Sequence, residues 1–321
     1  MKTKTVCFFL IISLYTSLFS EDLYFNGIPI KHSLYSGHNV ASKDARYSII
    51  FYNKEFAFLK NNVSNTTTKL QIIGKNNYYA SLFPLHGEYV IIYYGGSSLY
   101  DWKYITAFDL NTGEQIWSNC IDNDFYIHNI LDYKDFYLTG LRNEGSIVRI
   151  NSQGLAIKKT KLFQHLLWIG KISEGTYLAF GTRDYKNNEY ELLYCDIDDE
   201  IITTYTNFNE RSNFSTNTNK PLFLSYTRND ENNNEVSINN CLTQEKTIIT
   251  NGQPINTATF SSDGEYIFIV TGHLDFMLTI YDLNGHILDK YHVPALKKYH
   301  RPKEIVFTTN EICILQENNG P

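Results

Sequence analysis

Apolar and polar residues along this chain alternate with the two-residue period of β-strands, in short runs broken by clusters of Asn, Asp, Gly and Ser. The clearest run is Tyr104-Ile-Thr-Ala-Phe-Asp-Leu-Asn-Thr-Gly-Glu-Gln-Ile-Trp117, which reads as a strand, a four-residue turn and a second strand. Its turn chemistry suits a β-hairpin with a bulge. Asp109 can bond the backbone two residues on, Asn111 tolerates left-handed geometry, and Gly113 supplies positive φ.

The hairpin recurs. Asn151-Ser-Gln-Gly154 follows Ser146-Ile-Val-Arg-Ile150, Asp196-Ile-Asp-Asp-Glu200 follows Glu191-Leu-Leu-Tyr-Cys195, and Asp282-Leu-Asn-Gly285 follows Phe276-Met-Leu-Thr-Ile-Tyr281. Gly113 and Gly285 lie 172 residues apart, four steps of 43, with Gly154 and Asp199 near intermediate positions and Asn240 where the weakest copy falls. A second series, Gly87, Asp135, Gly175, Asn219, Gly264 and Asn310, precedes one apolar strand each, such as Tyr177-Leu-Ala-Phe180 and Tyr266-Ile-Phe-Ile-Val270. Two interleaved turn series at one period of 40 to 45 residues, with several short strands in each, are the signature of propeller blades, small antiparallel sheets that bury their faces only by stacking.

The expected fold is therefore all-β: a propeller of four-stranded antiparallel blades, seven by the arithmetic, with six as the alternative. The blades run from Ser42 to Lys75, Tyr78 to Ile121, Phe125 to Leu162, Phe163 to Phe208, Asn209 to Gly252 and Gln253 to Val293. The seventh, from Pro294, holds only Glu304-Ile-Val-Phe-Thr308 and Ile312-Cys-Ile-Leu315 before the chain stops. Its missing outer strand is expected from Asp22-Leu-Tyr-Phe25 or Ile28-Pro-Ile-Lys31, pairing the two chain ends and removing an exposed edge.

The first twenty residues differ. Lys2 and Lys4 precede an apolar run from Val6 to Phe19, and the first acid is Glu21, directly after Ser20. That order reads as a secretory signal peptide over residues 1–20, too short to span a bilayer, ahead of a single domain over 21–321. We expect an exported protein, periplasmic or secreted, with no transmembrane segment in the mature chain.

Composition agrees with a β-rich chain that folds: 43% hydrophobic residues, 25 Tyr, 20 Phe and 2 Met. The formal charge of −6 argues against nucleic acid or an anionic membrane as the main partner. Cys120, Cys195, Cys241 and Cys313 are spaced too far apart for a zinc pair and too sparsely for a disulfide scaffold, so we read them as strand cysteines, free or at most singly paired.

The segment Ala107-Phe-Asp109-Leu-Asn-Thr112-Gly113-Glu-Gln-Ile-Trp117 resembles the repeat of the pyrroloquinoline-quinone-like propellers, in which a small residue, Asp, Thr-Gly and Trp recur. The resemblance implies that Trp117 docks adjacent blades. Thr259-Phe-Ser-Ser-Asp-Gly-Glu-Tyr-Ile-Phe-Ile269 followed by Ile280-Tyr-Asp-Leu-Asn-Gly285 is more similar to a WD40-type repeat. Gly154 and Gly285 are not followed by Trp and Asp199 replaces the turn glycine, and nothing matches the quinone enzymes' metal and disulfide residues, so no cofactor is carried over.

Candidate chemistry is sparse. Asp196-Ile-Asp-Asp-Glu200 could offer oxygens to calcium but reads as a solvated turn, and Asn229-Asp-Glu-Asn-Asn-Asn-Glu235 as a polar loop. His86, His273, His292 and His300 show no close ligand spacing, and there is no nucleophile elbow or phosphate loop. No catalytic, cofactor or metal residue is assigned. The expected function is a non-catalytic scaffold binding a protein, or a glycan, as a monomer or within an envelope complex. Similar exported propellers include the scaffold of the outer-membrane protein assembly machinery. The insertions Gly96 to Trp102, Thr182 to Asn188 and Asn229 to Asn234 carry residue types suited to recognition. The alternative is a hydrolase, lyase or metal-dependent enzyme with its site in the central funnel.

Overall fold

A computed structural model of the chain describes residues 23–34, 39–41, 47–51, 56–61, 64, 66–71, 80–82, 89–95, 102–120, 127–184, 186–230, 234–273, 275–296, 300–307 and 311–318. The expected leader over 1–20, His86 and most of the insertion at 96–102 lie outside them. The described residues form strands and turns only. The N-terminal pair is β1 (Leu23–Phe25) and β2 (Ile28–Leu34). Blade 1 holds β3 (Asn39–Ala41), β4 (Tyr47–Phe51), β5 (Phe56–Asn61) and β6 (Thr67–Gln71), and blade 2 holds β7 (Ala80–Leu82), β8 (Tyr89–Gly95), β9 (Trp102–Asp109) and β10 (Gln115–Cys120). Blade 3 is β11 (Ile127–Tyr133), β12 (Phe136–Leu141), β13 (Ser146–Asn151) and β14 (Ala156–Lys161). Blade 4 is β15 (His165–Ser173), β16 (Thr176–Asp184), β17 (Glu189–Asp196) and β18 (Ile201–Phe208). Blade 5 is β19 (Ser212–Asn217), β20 (Leu222–Thr227), β21 (Glu235–Asn240) and β22 (Lys246–Thr250), and blade 6 is β23 (Ile255–Phe260), β24 (Tyr266–Thr271), β25 (Phe276–Asp282) and β26 (Ile287–Val293). The last two strands are β27 (His300–Phe307) and β28 (Ile312–Asn318).

Each of blades 1 to 6 is an antiparallel four-stranded meander. The seventh sheet joins both chain ends in the order β1-β2-β28-β27, so both expected N-terminal segments enter it rather than one. It is not wholly antiparallel: β2 runs parallel to β28, with Ile30 opposite Ile312 and Leu34 opposite Gln316. The reason is directional. In a meander the fourth strand runs the same way as the second, and β2, which leads into the first strand of blade 1, takes that fourth-strand direction. The C-terminal part of the sheet supplies only two strands, so β2 lies directly on β28 and β1 covers part of its outer edge.

First strands of successive blades contact one another, β11 with β15, β15 with β19, β19 with β23 and β23 with β27, and so line the axis. Fourth strands form the rim, where β14, β18 and β26 are largely exposed while β12, β16 and β24 are buried. The cores accordingly lie between blades. In β16, Tyr177 and Ala179 pack toward blade 3 while Leu178 and Phe180 pack toward blade 5, the two-residue alternation of a strand buried on both faces.

The rim strands are edges, which invite pairing unless guarded. β14 carries Lys158, Lys159 and Lys161. β18 has no charged residue, but its pairing with β17 is broken by two register shifts, with Asn207 at φ 69°.

The turn between the third and fourth strands repeats one device. The first residue is Asp or Asn, and its Oδ1 accepts two backbone N–H groups: Asn111 and Thr112 at Asp109, Gln153 and Leu155 at Asn151, Asp198 and Glu200 at Asp196, Leu242 and Thr243 at Asn240, Asn284 and His286 at Asp282. The positive-φ position follows, filled by Gly113, Gly154, Asp199, Gln244 and Gly285. In blade 5 that position is Gln244 and not Asn240, because this turn, like that of blade 2, is one residue longer. Asn213, which matches a glycosylation acceptor, lies within β19 opposite Tyr226.

Candidate functional site

The positive-φ residues Gly113, Gly154, Asp199 and Gly285 each meet the rim strand of the preceding blade. A Cβ on Gly154 would lie 2.3 Å from the Trp117 ring and 2.6 Å from Asn119, so only glycine fits beneath that indole. Asn119 Nδ2 donates to Gly154 O at 2.6 Å, and Trp117 packs on the core shared by blades 2 and 3. Trp117 thus docks two blades, as its repeat resemblance implies.

At the next seam the equivalent rim residues are Lys158 and Thr160, and the positive-φ residue is Asp199 at φ 69°. Asp199 is no longer the solvated turn carboxylate expected from sequence; its side chain is 4% exposed. Lys158 Nζ lies 2.7 Å from its Oδ2, Thr160 Oγ1 donates to the same oxygen at 2.6 Å, and Tyr177 OH donates to Oδ1 at 2.8 Å. Burial alone would raise this carboxyl, but the bonds from Lys158, Thr160 and Tyr177 outweigh it and hold the pKa below its ordinary value. Burial first, then Cys195 and Asp199, push the Tyr177 hydroxyl up, so it stays a donor.

Beside this seam, at the same end of the molecule, a cleft of about 560 Å³ is lined by Asp132, Tyr133, Lys134, Asp135, Phe136, Lys171 and Glu174. Tyr133 and Phe136 stack with centroids 5.2 Å apart. Arg149 caps Phe136 at 4.5 Å and donates to Ile197 O in the Asp199 turn. From blade 4, Lys171 Nζ sits 4.6 Å over the Tyr133 ring, donates to Asp132 O at 2.5 Å and pairs with Glu174. Tyr133 OH donates to Thr176 O at 3.2 Å, and burial followed by Glu174 keeps that hydroxyl protonated. The result is a braced aromatic floor with exposed Lys134, Asp135 and Glu174 around it. Tyr133 is itself buried, so the half-buried Phe136 is the aromatic group that this cleft presents beside the charges, a combination suited to binding.

The sequence reading missed this cleft and favoured three insertions. Those insertions fall between β8 and β9, β16 and β17, and β20 and β21, second strand to third, and these strand ends lie opposite the turns that build the cleft. The signal for the cleft was Tyr133 and Phe136 flanking the Lys134-Asp135 turn.

Nucleophile and metal chemistry gain little support. Burial pushes the Cys195 and Cys241 thiols up to about 12 and Cys313 to about 11, so none is a thiolate near neutrality. All three are free. His292 approaches Asp275 at 3.5 Å, and among the described residues no three His, Cys, Asp or Glu gather as metal ligands. Nor is any helix among them long and apolar enough to cross a membrane.

No family model and no curated protein sequence matches the chain. Solved structures do. A chain titled KlHsv2 with loop 6CD replaced by a Gly-Ser linker aligns with a TM-score of 0.63 at 10% identity, covering 87% of this chain and 88% of that one. A chain from a crystal structure of the mitotic checkpoint complex aligns with a TM-score of 0.61 at 12% identity, covering 90% and 87%. At this distance the likeness shows the fold alone: the protein is a β-propeller, and its described residues form seven four-stranded sheets.

Proposed function

We propose that this protein is an exported, non-catalytic scaffold, periplasmic or secreted, that binds a protein partner through the blade 3–4 cleft. The observation that carries the reading is the cleft itself: Phe136 and Tyr133 held rigid from both sides by Arg149 and Lys171, with Lys134, Asp135 and Glu174 exposed around them. A rigid aromatic centre ringed by charges of both signs suits a protein surface better than a neutral glycan. The basic and apolar order of residues 1–20 supports export, and the quinoprotein-like residues Ala107, Asp109, Thr112, Gly113 and Trp117 support a place for blade 2 among such repeats without any cofactor.

The test is affinity capture of the tagged protein after crosslinking in its native envelope or medium, run in parallel with Phe136→Ala and Lys134→Glu, with metal assayed in the same samples. The reading expects one protein at near-equal abundance that both variants lose. A stoichiometric metal or retained small molecule with no protein partner would replace it with the funnel enzyme.

A further inference from the structure

The strand that joins the two chain ends carries a histidine in its apolar column. On β2, Ile30 lies opposite Ile312 of β28, and His32 lies opposite Ile314. Ile30, Ile312 and Ile314 belong to the core between blade 6 and the seventh sheet, together with Phe268, Val270 and Leu278. Residues two apart on a strand share a face, so His32 is directed to the same side as Ile30. Its Nδ1 is buried and has no hydrogen-bond partner among the described residues. An imidazole with an idle buried nitrogen suits this place only while neutral, because a cation there would lack an acceptor at that atom.

The carboxylates on the elements around His32 are engaged elsewhere. Glu311, ahead of β28, pairs with Lys31 at 2.7 Å, and burial pushes the Cys313 thiol of β28 up to about 11. On β1, Tyr24 accepts a hydrogen bond at its carbonyl from Tyr291 OH, which also donates to Asp289. Along β26, Asp289, Lys290, Tyr291 and His292 follow one another, and His292 Nε2 lies 3.5 Å from Oδ1 of Asp275, ahead of β25. Burial first, and His292 second, hold the His32 pKa below the ordinary histidine value of 6.5. We propose that His32 makes the join between the chain ends acid-sensitive: protonation sets an imidazolium against the blade 6 core and near His292, and β2 loosens from β28. Above about pH 6.5 the ring is neutral in the folded and the unfolded chain, and the join keeps its full strength. As pH falls below that value the unfolded chain takes up the proton first, so the strength is lost in a range well above that of the carboxylates.

The experiment uses the full chain and follows hydrogen exchange by mass spectrometry at about pH 7.5 and about pH 5.5, corrected for the intrinsic pH dependence of exchange. The peptide over residues 28–34 reports the join, and the β16 peptide over 176–184 is the reference. Protection over 28–34 should fall by about threefold or more on acidification while the reference keeps its own. His32→Leu, neutral at both values, should hold protection over 28–34 within about twofold. His292→Gln keeps the buried imidazole but removes its cationic neighbour, so its fall should be smaller than that of the starting protein. Should His32→Leu fail to fold, His32→Gln takes its place with the same expectation. An unchanged join in the starting protein, an equal fall in the reference peptide, or an acid response that survives in the His32 variant overturns the proposal.

Discussion

The seam between blades 2 and 3 and the seam between blades 3 and 4 are built from equivalent positions with opposite chemistry. In the first, an indole from the rim strand lies on a glycine: Trp117, four residues after Gly113, covers Gly154. In the second, Lys158, four residues after Gly154, meets the Asp199 carboxylate at 2.7 Å. Asn119 and Thr160 repeat the correspondence two residues further on, each bonding the next blade's turn. The lesson is that the two halves of a seam are matched. A large flat rim residue demands a turn residue without a Cβ, whereas a long cation reaches past a Cβ and needs an acceptor at its end.

The largest effect expected from breaking that match is Gly154→Asp. The new Cβ meets the Trp117 ring in a left-handed backbone, and we expect a loss of roughly 3–4 kcal/mol in denaturant unfolding. Asp199→Ala keeps the Cβ and the backbone strain but removes the acceptor. The half-exposed Lys158 can turn to water, so most of the expected loss of about 2 kcal/mol comes from the stranded Tyr177 hydroxyl and Thr160. By contrast, Lys159→Ala removes the half-exposed pair with Glu144 at the same rim and should change stability by less than about 0.5 kcal/mol.

The polar seam should also sense pH where the indole seam does not. The Asp199 pKa is lower folded than unfolded, so its stabilisation is complete above the ordinary carboxylate value of about 4 and fades as pH falls through the folded value. Thermal unfolding of the protein and of Asp199→Asn should therefore differ by a constant amount from about pH 8 to 5 and converge below about pH 4. A gap that persists into acid would mean that the seam does not depend on the ionised carboxylate.

Much of the fold was legible because hairpin chemistry is local. Asp109, Asn151, Asp196 and Asp282 announce their turns within five residues, and the 43-residue spacing turns those into blades. Gln244 hid because it tolerates a left-handed backbone without being a turn residue by type. The parallel pairing of β2 with β28 joins residues nearly three hundred positions apart, which no local pattern encodes. The cleft was equally invisible: Phe136, Arg149 and Lys171 come from three strands of two blades, and only assembly places the guanidinium on one ring and the ammonium on the other. Asp199 was misread for a related reason, since its partners lie some 20 to 40 residues away.

The most direct test of matched seams is a double-mutant cycle at Lys158 and Asp199, measured by chemical unfolding. Lys158→Trp alone sets an indole against a Cβ and strands the carboxylate, and Asp199→Gly alone removes the acceptor for Lys158, Thr160 and Tyr177. Together they rebuild the pairing of Trp117 with Gly154. Matching predicts that the double variant is more stable than the sum of the single losses by at least about 1 kcal/mol. Strict additivity would contradict it, showing that each position acts alone.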